Sequence, residues 1–65
     1  MYSLYSNRDG QHVWEADGST VKHCQDIAKM MAKYLRAEFV ITNQVGKTLA
    51  KSDNTATHRM NWVAA

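Results

Sequence analysis

Proline is missing from this 65-residue chain, and glycine occurs only three times. Proline interrupts helices and cannot donate a hydrogen bond within a sheet, so its absence leaves every stretch free to pair as a strand. No internal repeat, low-complexity stretch or linker-like composition divides the chain. We therefore predict one compact domain that spans residues 1–65.

Cysteine occurs once, at Cys24, so no disulfide can form within the chain. A chain of this length buries a small core, and proteins of its size are commonly stabilised by disulfides, a metal or a partner subunit. Because the disulfide is excluded, a homodimer becomes an expectation of the sequence. A single free thiol is also typical of reducing compartments, which favours a cytoplasmic protein.

Long apolar runs are absent as well. No stretch has the length of a signal peptide or a membrane-spanning helix, so we expect no membrane contact. Net charge is also low, at +2, which by itself does not indicate a nucleic-acid-binding protein. Much of the positive charge nevertheless falls within one stretch of the chain.

That stretch, residues 20–36, has the spacing of an amphipathic helix. Its apolar side chains recur every three or four residues and predict one buried stripe, formed by Cys24, Ile27, Ala28, Met31 and Leu35. Ser19 or Thr20 can cap its first turn. The opposite side is basic and carries Lys22, Lys29, Lys33 and Arg36. A solvated face is the ordinary explanation of such a stripe, and a binding surface is the alternative.

Strand-forming residues lie on both sides of the helix. Residues 2–7 and 11–16 flank Asp9-Gly10, a strong hairpin signal. Residues 38–43 and 47–51 flank a loop with Gly46, and residues 57–63 alternate as a further strand would. The order β-β-α-β-β, with a final β, predicts an α+β two-layer sandwich in which one helix packs on an antiparallel sheet of four or five strands.

One helix can cover only one face of such a sheet, so the second face is expected to be solvated or buried by another molecule. We expect this uncovered face to carry some of Tyr5, Val40, Met60 and Trp62. Trp14 and Phe39 are predicted to be core residues, and Trp62 is left open between core and surface.

No motif with the requirements of catalysis stands out. Cys24 falls on the apolar stripe and is predicted to be a buried small side chain. The three histidines and the cysteine match no zinc spacing, and Gly46-Lys47-Thr48 lacks the earlier glycine of a phosphate-binding loop. We therefore predict a protein that is not an enzyme and that needs no cofactor or metal.

Two functional hypotheses remain. The first is a small cytoplasmic interaction protein that binds and regulates or inhibits a larger macromolecule, of the kind that phages and mobile elements encode. The second is a nucleic-acid-binding module that uses the basic helix and sheet aromatics. The predicted binding surface comprises Lys22, Lys29, Lys33, Arg36, Arg59 and Trp62.

Overall fold

The computed structural model describes residues 1–53 and 61–64. In chain order, the elements are β1 (Tyr2–Arg8), β2 (Gln11–Gly18), α1 (Val21–Met31), β3 (Phe39–Thr42), β4 (Thr48–Asp53) and β5 (Asn61–Ala64). The strands form one antiparallel sheet in the order β2-β1-β3-β4-β5, and α1 packs on one of its faces. This arrangement confirms the predicted α+β fold, with the fifth strand present.

Two turns follow from local backbone chemistry. Asp9 and Gly10 both have positive φ, at 52° and 82°, as a tight two-residue hairpin turn requires. Gly46 also has a positive φ, at 86°, which confirms its predicted left-handed position. In that loop the Asn43 side chain accepts hydrogen bonds from the backbone N–H groups of Val45 and Lys47.

The helix begins as predicted but ends earlier. Thr20 is the N-cap, and its Oγ1 accepts a hydrogen bond from the His23 N–H at 3.0 Å. The helix ends at Met31 rather than at residue 36, and the N–H of Tyr34 bonds to the Met31 carbonyl in a tighter turn. A helix advances only about 1.5 Å per residue, so a less tightly wound segment is needed to bring Phe39 into the sheet.

The core lies between α1 and strands β1, β3 and β4. Its buried members are Leu4, Cys24, Ala28, Phe39, Ile41 and Ala50. The prediction for the helix stripe was therefore only partly correct. Small residues make the closest contacts, whereas Ile27, Met31 and Leu35 are half-buried and pack around this cluster. Phe39 and Cys24 are fully buried, as predicted.

A close approach between β2 and α1 depends on Gly18. A Cβ atom placed on Gly18 would lie 2.7 Å from Cys24 Sγ and 3.2 Å from the Cys24 backbone nitrogen. The first distance is well inside van der Waals contact, and both residues are buried. Gly18 is thus required for close packing.

We predict that Gly18→Ala destabilises the fold by about 1–3 kcal/mol, because the added methyl overpacks the contact with Cys24. Truncating the opposing side chain should relieve most of this clash. In the double variant Gly18→Ala/Cys24→Ala, the loss should therefore be smaller than the sum of the two single losses. Urea unfolding of the four proteins measures this coupling, and strictly additive losses would contradict the proposed contact.

Candidate interaction surface

The face of the sheet opposite α1 carries a row of side chains that crosses all five strands. Cross-strand pairing joins Trp14 to Tyr5, Tyr5 to Val40, Val40 to Lys51, and Lys51 to Val63. The neighbouring row contains Leu4, Ile41 and Ala50 and faces the helix. Because side chains alternate along a strand, the first row lies on the other side. We call the surface around the row Trp14, Tyr5, Val40, Lys51 and Val63 the open face.

Trp14 is the largest exposed side chain of this row. It is 56% exposed, and Val63 at the far end of the row is 59% exposed, whereas Val40 between its neighbours is only 5% exposed. The prediction that Trp14 belongs to the core was wrong. The two-residue turn at Asp9-Gly10 places Trp14 opposite Tyr5, and Tyr5 points away from the helix because Leu4 points toward it.

A bulge in β2 explains why Ala16 and Trp14 lie on opposite faces of the sheet. Pairing shifts by one residue between Leu4 and Tyr5, so that Leu4 faces Ala16 and Glu15 is the extra residue. Regular pairing would have set the Glu15 carboxylate opposite Leu4 in the core. Instead Glu15 forms an ion pair with Arg8 at 3.3 Å, with its side chain only 9% exposed.

The exposed indole of Trp14 is held in a fixed orientation. Its Nε1–H donates a hydrogen bond to Asp17 Oδ1 at 3.0 Å, and the Ser3 hydroxyl donates to the same oxygen at 2.8 Å. The bond from Trp14, followed by the bond from Ser3, lowers the pKa of Asp17 below its ordinary value. The polar group of the Trp14 side chain is therefore already paired within the chain, while the side chain remains 56% exposed.

Tyr5 and His12 extend the aromatic surface beside Trp14. Their ring centres are 6.4 Å apart with an interplanar angle of 40°. Lys51 contributes a positive charge to the open face, and Asp17 contributes a negative one. The open face thus combines rings, valines and charges of both signs.

The residues predicted as the binding surface lie elsewhere. Lys22 is exposed and pairs with Asp26 at 3.8 Å, and Lys29 is exposed in the last helical turn. Lys33 and Arg36 are exposed but follow the end of α1, so the four basic residues do not form one helical stripe. Trp62 is half-buried and packs against the core, while Arg59 lies outside the described residues, as does Met60.

Cys24 lies on α1, on the other side of the sheet from the open face, and has the properties of a structural residue. Burial raises the pKa of its thiol, and the negative charge of Asp17 raises it further, against a smaller opposite effect of a hydrogen bond from Gly18. The thiol is therefore kept neutral at pH 7, which is unfavourable for a nucleophile. Within residues 1–53 and 61–64, no three potential metal-ligating side chains come together.

The described part of the chain contains no helix with the length and apolar character needed to cross a membrane. The chain matches no protein-family model, no curated protein and no solved structure.

We predict that the environment of the Trp14 indole changes only at acid pH. Because the folded-state pKa of Asp17 is lowered, its contribution to stability is present above the unfolded value of about 3.9 and is lost as pH falls through the folded-state value. The Nε1 proton resonance of Trp14, followed by NMR, should shift in that acidic range. In Asp17→Asn the shift should disappear, and an unchanged titration would show that Asp17 is not the acceptor.

Proposed function

We propose that this protein is a non-enzymatic interaction protein that binds a larger protein through its open face and thereby regulates or inhibits it. The observation that carries the proposal is Trp14, a large aromatic ring that is exposed and yet held in place by Asp17. Binding energy at protein interfaces is concentrated in a few anchors, among which tryptophan is enriched.

Fixing an anchor before binding reduces the entropy that the complex must lose. The hydrogen bonds from Trp14 and Ser3 to Asp17 restrain the indole, so its conformation is selected before a partner arrives. Tyr5, beside Trp14 in the row, adds an apolar ring surface with one polar group. Such a surface is suited to a complementary apolar patch on another protein.

A non-catalytic role also agrees with the chemistry of the described residues. Cys24, the one thiol, is buried and has a raised pKa, so it is poorly suited to nucleophilic catalysis. A reduced, buried cysteine is typical of proteins in reducing compartments, and we therefore propose a cytoplasmic location.

Nucleic-acid binding is the second candidate function. The observation in its favour is that Tyr5, His12 and Trp14 present rings on two adjacent strands, an arrangement on which unpaired bases can stack. The exposed lysines Lys22 and Lys29 lie on α1, which packs on the other face of the sheet. Lys51 shares the open face with the rings, whereas Lys22 and Lys29 would contact a different part of a nucleic-acid strand, so this function has less support.

Site-specific photo-cross-linking in the native host tests the main proposal. A photoreactive residue at His12, which is exposed beside Tyr5, should capture a protein of defined mass, identified by mass spectrometry. The same residue at Tyr34, which is 90% exposed away from the sheet, is the control position. Trp14→Ala should abolish capture from His12, whereas equal capture from both positions would contradict the proposal.

Salt dependence tests the second candidate. A labelled single-stranded oligonucleotide should bind much more weakly at high salt if lysines contact its phosphates, because binding releases counterions. Changing Lys22, Lys29, Lys33 and Arg36 to glutamine should then reduce the salt slope by about one unit for each lost contact. If the protein-binding proposal holds, fluorescence anisotropy should detect no salt-dependent binding of the oligonucleotide, either by the wild-type chain or by the glutamine variant.

A further inference from the structure

The order of side chains along the open face is complementary to its own reverse. Read from β2 to β5, the row is an aromatic residue, a second aromatic residue, a valine, a lysine and a valine, namely Trp14, Tyr5, Val40, Lys51 and Val63. We propose that in the absence of its target the open face is occupied by a second copy of the same chain. This inference rests on the proposed function, because both partners would use one surface.

A two-fold axis parallel to β3 gives the favourable pairing. Such an axis passes over Val40 and reverses the row, so that Trp14 meets Val63 of the second copy and Tyr5 meets its Lys51. The first pair is apolar on both sides. In the second pair, an ammonium group lies over an aromatic ring, which attracts cations at separations up to about 6 Å.

Charge disfavours the arrangement in which the two-fold axis lies over the row itself. A two-fold axis parallel to the row itself would leave the order unreversed and place Lys51 over Lys51 of the second copy. Two ammonium groups brought together with loss of water repel each other. The position of the single lysine in the row therefore favours the first axis. The strands of the two sheets are then roughly aligned, as in β-sandwiches, whose sheets lie about 10 Å apart.

The two-fold axis passes over a residue that is already buried within the single chain. Val40 lies on the axis and is already 5% exposed, while Asp17 at the side of Trp14 keeps two hydrogen bonds from its own chain. Trp14 and Val63, which are 56% and 59% exposed, would contribute apolar area to the interface. Association would thus protect the anchor that the target needs.

This arrangement has a regulatory consequence. If the second copy and the target compete for Trp14, the free protein is stored as a dimer that must dissociate before it binds. The concentration of the chain then sets how much of the open face is available. Binding of the target should accordingly become weaker, relative to the intrinsic affinity, as the protein concentration rises.

Sedimentation equilibrium over about a hundredfold range of concentration tests the association. The wild-type chain should change from monomer to dimer, and Trp14→Ala and Lys51→Glu should each raise the dissociation constant by about tenfold or more. Matched changes outside the open face, Tyr34→Ala and Lys22→Glu, should have no effect. Circular dichroism of each variant checks that the monomer is folded.

Disulfide trapping tests the orientation of the two copies. Trp14 and Val63 are separated by four strand spacings, about 19 Å, so cysteines at these positions cannot bond within one chain. A mixture of Trp14→Cys and Val63→Cys should form a cross-linked heterodimer under mild oxidation. Neither variant alone should cross-link. Cys24 is buried, and in the proposed dimer each new cysteine lies far from the same position in the second copy.

The possible results separate this inference from the proposed function. A single monomeric species at all concentrations, or a dimer unaffected by Trp14→Ala, would overturn the inference, as would cross-linking of Trp14→Cys alone. Capture of a target from His12 can still succeed in each of those cases, and the proposed function would then stand without the dimer. Conversely, a dimer with the expected cross-link and no captured target would leave the inference standing and contradict the proposed function. An oligonucleotide that dissociates the dimer would assign the open face to nucleic acid, which would contradict the proposed function and leave the dimer standing.

Discussion

The ion pair between Arg8 and Glu15 is the interaction on which the shape of the open face depends. Glu15 is the extra residue of the β2 bulge, and its side chain is largely buried against Arg8. A buried carboxylate is costly unless it is paired, so Arg8 makes the bulge tolerable at this position. Because Glu15 has no cross-strand partner, Ala16 pairs with Leu4. Asp17 then lies within hydrogen-bond distance of both Ser3 and Trp14.

The second constraint is the close contact between the helix and the sheet. Cys24 and Ala28 are small, and Gly18 leaves room for the thiol, so α1 can approach β1, β2 and β3 directly. A helix is only about 10 Å wide, and strands are spaced by about 4.8 Å, so α1 cannot cover all five strands evenly. Trp62 extends the cover on the helix side at β5, where it packs against the core.

These two constraints give the sheet two different surfaces. The helix face is closed by small and medium apolar residues, and its buried polar groups include Ser52, whose Oγ accepts a hydrogen bond from the Phe39 N–H at 2.7 Å. The opposite face displays a tryptophan whose polar atom is satisfied by its own chain. A fixed aromatic ring on an otherwise mixed surface is an economical way for a small chain to concentrate binding energy.

Local chemistry determined the parts of the fold that the sequence predicted well. Asp9-Gly10, Gly46 and the Thr20 cap act through backbone angles and hydrogen bonds within a few residues, so their outcome hardly depends on the rest of the chain. The apolar spacing of the helix also predicted the burial of Cys24. The order of elements then followed from these signals and from strand propensity.

The exposure of Trp14 was not predicted, although part of the signal was present. A two-residue turn at Asp9-Gly10 already implies that Trp14 pairs with Tyr5, and a core position for Leu4 then turns both rings outward. What the sequence did not show is the bulge at Glu15, because simple alternation puts Trp14 and Ala16 on one face. The choice of Trp62 and the basic helix residues as the surface rested on the positions of charged and aromatic residues in the sequence, and that surface stays a prediction.

The sequence alone therefore determined the turns, the start of the helix, the single-helix α+β architecture and the burial of Cys24, all of which depend on short-range chemistry. The tertiary structure decided where α1 ends, because the chain must return to the sheet at Phe39, and it decided which tryptophan is exposed. Trp14 lies on the open face and Trp62 lies against the core because each position is set by pairing with another strand. The Asp9-Gly10 turn fixes the partner of Trp14, but the face of the sheet that the helix covers and the pairing of β5 depend on residues distant in sequence.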